Sequence, residues 1–253
     1  MEITEYKNIY NHEDSHFYYV SIHSLAISLI KQYQKGRKIK ILDCGCGTGL
    51  LALQMQKLGK VTGIDFSSEA LYFAKKRGIK VKKASVEKLP FKDNTFDVVI
   101  SIDVLNHKSI KNDLTALSEI YRVLKPNGIT IIRIPANSWM HLNHDRQVHM
   151  KYRINKNELL DKLLKSGFIV EKLSFINLVL FPLSLGRFIW EKTQKQKKVD
   201  SLISNVNPLI NILLIKILLF EAAVFKKINL PIGIGLMTVS RKPKPSLHLR
   251  ANL

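Results

Sequence analysis

An apolar run that leads straight into an acid and three alternating glycines leaves a chain few ways to fold. Ile39, Ile41 and Leu42 lead into Asp43-Cys44-Gly45-Cys46-Gly47-Thr48-Gly49, after which Leu50, Leu51, Leu53, Met55 and Leu58 recur at helical spacing. The first run reads as a buried parallel strand and the second as a helix, so the glycines form the turn between them. Glycine takes positive φ and carries no Cβ, which lets the backbone turn sharply and approach a ligand closely. Val61-Thr-Gly-Ile-Asp65 reads as the next strand. Its terminal carboxylate is placed to accept hydrogen bonds from the two hydroxyls of a ribose.

The glycine spacing narrows the choice of nucleoside. A dinucleotide fingerprint counted from Gly45 would need Gly or Ala where Leu50 stands, and a phosphate-cradling loop would need Lys-Ser or Lys-Thr where the chain has Thr48-Gly-Leu-Leu. NAD and ATP are therefore disfavoured. An Asp-x-Gly-x-Gly-x-Gly loop whose Asp43 can meet a cation suits S-adenosylmethionine, which has a sulfonium, an ammonium and no phosphate. The bland alternative is an ordinary glycine-rich strand-to-helix turn.

Beyond the loop, the pattern predicts strands at 39–43, 61–65, 79–84, 96–101, 129–134, 168–175 and 235–240. Helices are expected near 49–58, 67–77, 111–124 and 155–166, the last opened by an Asn155/Glu158 capping box and stopped at Gly167. Such alternation implies a parallel α/β sheet with helices on both faces. Residues 1–36 form an N-terminal segment whose Val20, Ile22, Leu25, Ala26, Leu29 and Ile30 suggest an amphipathic helix, and whose Glu13–Tyr19 stretch could fold over the cofactor as a lid.

These motifs resemble the class I S-adenosylmethionine-dependent methyltransferases, of the methyltransferase type 11 subgroup that includes the ubiquinone and menaquinone methyltransferases. The resemblance rests on the glycine loop, on Asp65, on residues 84–107 (Ala-Ser-Val-Glu-Lys-Leu-Pro-Phe through Asp-Val-Leu-Asn-His) and on Glu119-Ile-Tyr-Arg-Val-Leu-Lys-Pro-Asn-Gly128, in order over residues 39–134. It implies a Rossmann-like seven-stranded sheet, six strands parallel and the last antiparallel. The cofactor set it implies is Asp43, Gly45, Cys46, Gly47, Gly49, Asp65, Phe66, Ser85, Val86, Ser101 and Ile102. Two positions depart from the family's pattern: Ser85 stands where an adenine-binding Asp is usual, and Asn106 where Glu is usual. A hydroxyl accepts more weakly than a carboxylate, so the Val86 N–H could supply part of that contact.

In the family the last two strands form a hairpin, but here residues 177–231 intervene between them. This insertion is expected to cap the substrate side of a core formed by 37–176, with 232–241 the final strand and 242–253 a flexible tail. Phe181–Trp190 is apolar, Lys192, Lys195, Lys197 and Lys198 form a basic run, and Pro208–Phe225 is apolar apart from Asn211, Lys216 and Glu221. A span needs ~20 apolar residues and each central charge costs roughly 2.5–3.5 kcal/mol, so insertion is near balance at best. The return of the chain to the sheet argues against a single span as well. A buried helical cap is the first expectation, and a helix lying in an anionic membrane interface the second.

The formal net charge of +20 suits nucleic acid or an anionic membrane, although lysine spread along the whole chain also fits codon bias. Cys44 and Cys46 are the only cysteines, too few for a zinc site or a disulfide framework, and no metal site is expected. The first residues lack the apolar core of a signal peptide. The expected location is cytoplasmic, with peripheral attachment to the inner face of a membrane as a variant.

Methyl transfer is an in-line displacement for which the protein holds the acceptor and, for a hydroxyl or amine, removes a proton. Candidate bases lie after the fourth and fifth strands: His107, and the cluster His144-Asp145-Arg-Gln-Val-His149-Met-Lys-Tyr152, histidine being suited to this work near neutrality. Residues 135–240 also resemble, more weakly, methyltransferases of cell-envelope glycan or lipid pathways. The leading expectation is O-methylation of a small-molecule or lipid-linked acceptor. The alternatives are an RNA methyltransferase and a cofactor-binding or membrane-docking protein without transfer activity.

Overall fold

The structure, a computed structural model, describes residues 3–35, 38–193 and 206–244. In chain order its elements are α1 (Ile3–His12), α2 (Phe17–Tyr33), β1 (Ile39–Cys44), α3 (Leu50–Met55), β2 (Gly59–Asp65), α4 (Ser68–Lys76), β3 (Val81–Lys83), β4 (Phe96–Ile102), α5 (Asp113–Val123), β5 (Leu124–Pro135), α6 (Asn143–Gln147), α7 (Lys156–Lys165), β6 (Ile169–Ile176), α8 (Phe181–Thr193), α9 (Pro208–Lys227) and β7 (Gly235–Arg241). The strands form one sheet in the order β3-β2-β1-β4-β5-β7-β6. Strand β7 runs antiparallel between β5 and β6, and the other neighbours pair in parallel. This is the Rossmann-like sheet that the alternating pattern implied.

Successive strand residues point to opposite faces, and both faces are covered. Leu42, Val99 and Ile132 pack beneath Leu117 and Ile120 of α5 and Leu159 and Leu163 of α7. Their neighbours Ile41, Ile100 and Ile131 meet Leu25 and Leu29 of α2, Met55 of α3 and Phe225 of α9 on the other side. Side-chain caps fix several helix starts: Ser67 accepts from the Ala70 N–H, Asn112 from Leu114 and Thr115, and Asn207 precedes Pro208 at the first turn of α9.

The chain steps from β1 outward to β2 and β3, then returns to place β4 on the other side of β1. A crevice outside the carboxyl ends of β1 and β4 follows from this reversal, and ligands of open α/β sheets bind at such switch points. Asp43, paired in register with Gly63 and Ile100, lies at its edge.

Local expectations are corrected in four places. The capping box at Asn155 does not form: its Oδ1 accepts the Ser138 hydroxyl at 3.0 Å, and Glu158 pairs with Lys162 at 2.7 Å. Strand β5 starts before the expected residue 129, because Leu124 already pairs with Phe96. Lys242, expected to open a flexible tail, is held by its ammonium, which donates to the carbonyls of Leu124 (2.8 Å) and Tyr121 (2.9 Å). Residues 245–253 of that tail, and Lys195, Lys197 and Lys198 of the basic run, lie outside the described residues. Finally, only 17% of the apolar window in α9 is buried, so α9 is not the buried helix expected first.

Candidate active site

The loop after β1 is held by backbone bonds and by one carboxylate. The Gly45 and Cys46 N–H groups donate to Ile64 O at 2.8 and 2.9 Å. Gly47 sits at φ +53°, with open space where a Cβ would stand, and its N–H donates to Asp65 Oδ2 at 3.0 Å. The other oxygen of Asp65 accepts the Ser67 N–H at 2.8 Å, which fixes the start of α4. Burial raises the pKa of Asp65, and donation from the Ser67, Gly47 and Phe66 amides opposes that rise. A carboxylate offers about four lone-pair directions, so with three amides bound one remains for a ligand hydroxyl.

Asp43 is the second carboxylate of the loop. It is 3% exposed, and its Oδ2 is buried without a hydrogen-bond partner. Burial, and then the nearby Asp65, push its pKa up to about 7. A buried acceptor without a donor is costly, and a cationic ligand group would supply the missing one. The ammonium of S-adenosylmethionine meets that requirement, the remaining lone pair of Asp65 suits a ribose hydroxyl, and the open Cα of Gly47 leaves room for it. The residues present therefore fit this cofactor.

Both acids line a cavity of about 960 Å³ that continues past the loop to the segment after β5. Of the remaining predicted cofactor residues, Gly45, Cys46, Phe66, Ser85, Val86 and Ile102 line it as well. Ser85 Oγ accepts the Glu87 N–H at 3.2 Å. Two predicted residues do not line the cavity. Gly49 (φ +87°) is needed for packing, since a Cβ there would lie 2.9 Å from the Ala74 Cβ of α4. Ser101 is fully buried inside the sheet between Cys44 and Ile132.

At the far end of the same cavity stand His107, His144, Asp145 and His149. The Ser109 N–H donates to His107 Nδ1 at 3.1 Å, so this ring carries its proton on Nε2 and faces a partner as a donor. Burial lowers its pKa to about 4, and it is neutral at pH 7. His144 is the opposite case: Nδ1 lies 3.3 Å from Gln147 Oε1, an acceptor, which leaves Nε2 as the acceptor of the ring. Burial lowers its pKa too. His149 adopts φ +53°, and its ring centroid is 5.9 Å from that of His107.

The other two members of the predicted cluster do different work. Both oxygens of Asp145 are taken by a two-point bond from Arg153 (2.8 and 2.8 Å), and Oδ2 also accepts the Leu142 N–H. Its carboxylate is a brace for α6. Tyr152 does not reach the cavity; its hydroxyl donates to Asp113 and its ring packs on the core beneath α5 and α7. Among the described residues, no group of three His, Cys, Asp or Glu side chains is arranged to hold a metal ion.

Residues 42–132 match the model of the methyltransferase domain family. Residues 42–132 therefore carry a methyltransferase domain of that family. Demethylmenaquinone methyltransferase of Chlorobaculum tepidum is 40% identical over 118 residues, 44% of this chain and 48% of that protein. The Mus musculus protein named "Probable tRNA methyltransferase 9B" is 30% identical over 139 residues, 54% of this chain and 31% of that protein. A SAM-dependent methyltransferase of Thermotoga maritima, 20% identical, shares the fold with a TM-score of 0.58 over 95% of this chain and 96% of that one. The chain spans less than half the length of these two curated relatives.

The cavity is also lined by residues outside the predicted site set, among them Asn106 and members of the Glu13–Tyr19 stretch expected as a lid. Asp103, at φ +59° just past β4, is bonded by Arg133 Nη1 and accepts the Tyr18 hydroxyl at 3.2 Å. A non-glycine residue in the left-handed region at a strand end is a recurrent feature of functional sites. The signal for Arg133 was present in the sequence, since it breaks the continuous run Ile131-Ile132-Arg133-Ile134 of a central strand. Asn106 lines the cavity with its Oδ1 buried and unpartnered. From the N-terminal segment, Tyr6, Glu13, Tyr18 and Tyr19 line the cavity, and Glu13 accepts bonds from the Thr48 hydroxyl and, at 2.8 Å, from Arg77.

Proposed function

We propose that the protein transfers the methyl group of S-adenosylmethionine to an oxygen of a small or lipid-linked acceptor, with His144 as the proton acceptor. Bound S-adenosylmethionine supplies an electrophilic methyl on a sulfonium. The chain's part is to hold the two ends of that molecule with Asp43 and Asp65, to shut out water with α1 and α2, and to orient the acceptor oxygen. His107, a neutral donor through Nε2, suits a hydrogen bond to that oxygen. His144 suits removal of its proton, because its tautomer leaves Nε2 with a lone pair and burial keeps it neutral at pH 7.

The observation that carries this reading is the single cavity shared by the unpartnered Asp43 Oδ2 and the two histidines of opposite hydrogen-bonding sense. The RNA alternative draws on the net charge of +20, a term that salt would screen. The test is incubation of the protein with methyl-labelled S-adenosylmethionine and, separately, a total lipid extract and a transfer-RNA pool. Label moving into the lipid fraction, with S-adenosylhomocysteine formed in equal amount, supports the proposal. Label moving into RNA alone contradicts it.

A further inference from the structure

Helix α9 exposes the residues that a helix on a water-soluble surface buries. An 18-residue window within it has a mean hydropathy of 2.1, yet only 17% of that window is buried. Its inner face, with Leu218, Glu221 and Phe225, packs on α2 and is fastened there. Asn211 accepts the Phe17 N–H at 2.8 Å and donates to Ser15 O at 2.9 Å, while Glu221 accepts the Val179 N–H at 3.1 Å. The outer face presents Leu209 (78% exposed), Leu213 and Phe220 (71% exposed) where charged groups are usual. Helix α8, next before it in the described chain, exposes Leu183, Ile189 and Trp190. Apolar surface of this extent marks a docking face.

Charge decides what covers it. The apolar residues are interspersed with Lys192, Lys216, Lys226 and Lys227, and no acid other than the buried Glu221 and the Arg187-paired Glu191 occurs on either helix. A second copy of the chain would set lysine against lysine, whereas an anionic lipid surface offers the complementary sign and an apolar layer beneath it. Lysine stems can lie along apolar surface with their ammonium groups at the headgroups, and tryptophan favours the same level. A spanning orientation is excluded by the packing of α9 on α2 and by the return of the chain to β7, between β5 and β6 in the sheet.

We propose that the outer faces of α8 and α9 dock in the headgroup layer of an anionic lipid bilayer, with α9 parallel to its plane. Helix α8 then serves two surfaces, since Leu183, Ser184 and Arg187 also line the cavity. The domain thus takes its acceptor from the membrane side. Docking itself rests on the exposed helices and not on the methyl-transfer reading.

The test is flotation of the full chain with vesicles of phosphatidylcholine alone and of phosphatidylcholine mixed with phosphatidylglycerol. Binding to the mixed vesicles should exceed binding to the neutral ones by ~10-fold or more and should weaken at high salt. A Leu213→Glu/Phe220→Glu double variant, whose changes lie on exposed positions, should lose ~10-fold in binding while keeping its melting temperature. Trp139→Phe leaves Trp190 as the sole tryptophan, and its emission should shift to the blue and be quenched by brominated lipid. Asp65→Ala should float as the wild type does, which separates this proposal from the cofactor assignment. Wild-type protein that stays with neither vesicle, a double variant that floats unchanged, or a wild-type dimer in sedimentation that the double variant abolishes would each overturn it.

Discussion

The carboxylate of Asp65 accepts the Gly47 N–H at 3.0 Å, so the residue proposed to hold a ribose also sets the shape of the loop beneath it. The bond joins two groups of the protein itself, one at the end of β2 and one in the loop after β1.

Asp43 makes binding and stability depend on pH in opposite directions. Its pKa rises from 3.8 to about 7 in the folded protein, so the stability it contributes is present below pH 3.8 and is lost as pH rises through about 7. Asp43→Asn should therefore melt higher than the wild type at pH 8, in thermal melts without ligand, and should match it more closely at pH 5. A cationic ligand favours the ionised carboxylate. Wild-type affinity for S-adenosylmethionine should weaken by up to ~10-fold per pH unit below 7, and Asp43→Asn should lose both the affinity and its pH dependence.

His144 and Tyr152 lie close in sequence but face different parts of the molecule. His144→Ala should lower kcat by ~10²–10⁴-fold with cofactor affinity unchanged. The acidic limb of the wild-type rate profile should fall below pH 6.5, because burial lowers the His144 pKa. Tyr152→Phe removes a bond to Asp113, which keeps its pairing with Lys162 at 2.7 Å. It should cost about 1 kcal/mol of stability and leave kcat within ~2-fold.

The Asp145–Arg153 pair is buried on both sides, at 9% and 8% side-chain exposure. Removing the acid strands a guanidinium in the interior, so Asp145→Ala should destabilise the fold by ~3–5 kcal/mol in denaturant melts. A catalytic role for Asp145 would instead show as lost turnover at unchanged stability.

Two glycines of the loop should respond differently to the same methyl group. Gly49→Ala carries both a left-handed backbone penalty of ~1–2 kcal/mol and a clash with Ala74, and should lower the melting temperature sharply. Gly47→Ala carries the backbone penalty alone, but places its methyl in the open space of the cavity. It should fall chiefly in cofactor affinity, read by calorimetry.

The core of the fold was legible because each central strand is an apolar run ended by a glycine, an acid or a turn, and because the helices between them keep a helical period. The cofactor loop was legible for the same reason: only glycine suits positions such as 47 and 49. Yet sequence spacing could not tell that Gly49 meets a helix while Gly47 meets a cavity, since that depends on where Ala74 lands. The cluster looked uniform along the chain, and only the bonds from Ser109 to His107, from His144 to Gln147 and from Arg153 to Asp145 separate a donor, an acceptor and a brace. Arg133 and Asp103 were missed because their pairing joins two strands 30 residues apart. The exposure of α9 was misjudged because an apolar helix with few charges reads alike whether a core or a lipid surface covers it.

The central claim is that Asp43 and Asp65, at the ends of neighbouring strands, jointly grip S-adenosylmethionine. Titration calorimetry of the purified chain with that compound at pH 8 tests it most directly, with Asp65→Ala titrated in parallel after its fold has been checked by circular dichroism. A saturable one-site isotherm for the wild type, weakened at least ~10-fold in the folded variant, is the result expected from the loss of a charge-assisted hydrogen bond. No heat of binding to the wild type, or equal affinity in the two proteins, contradicts it.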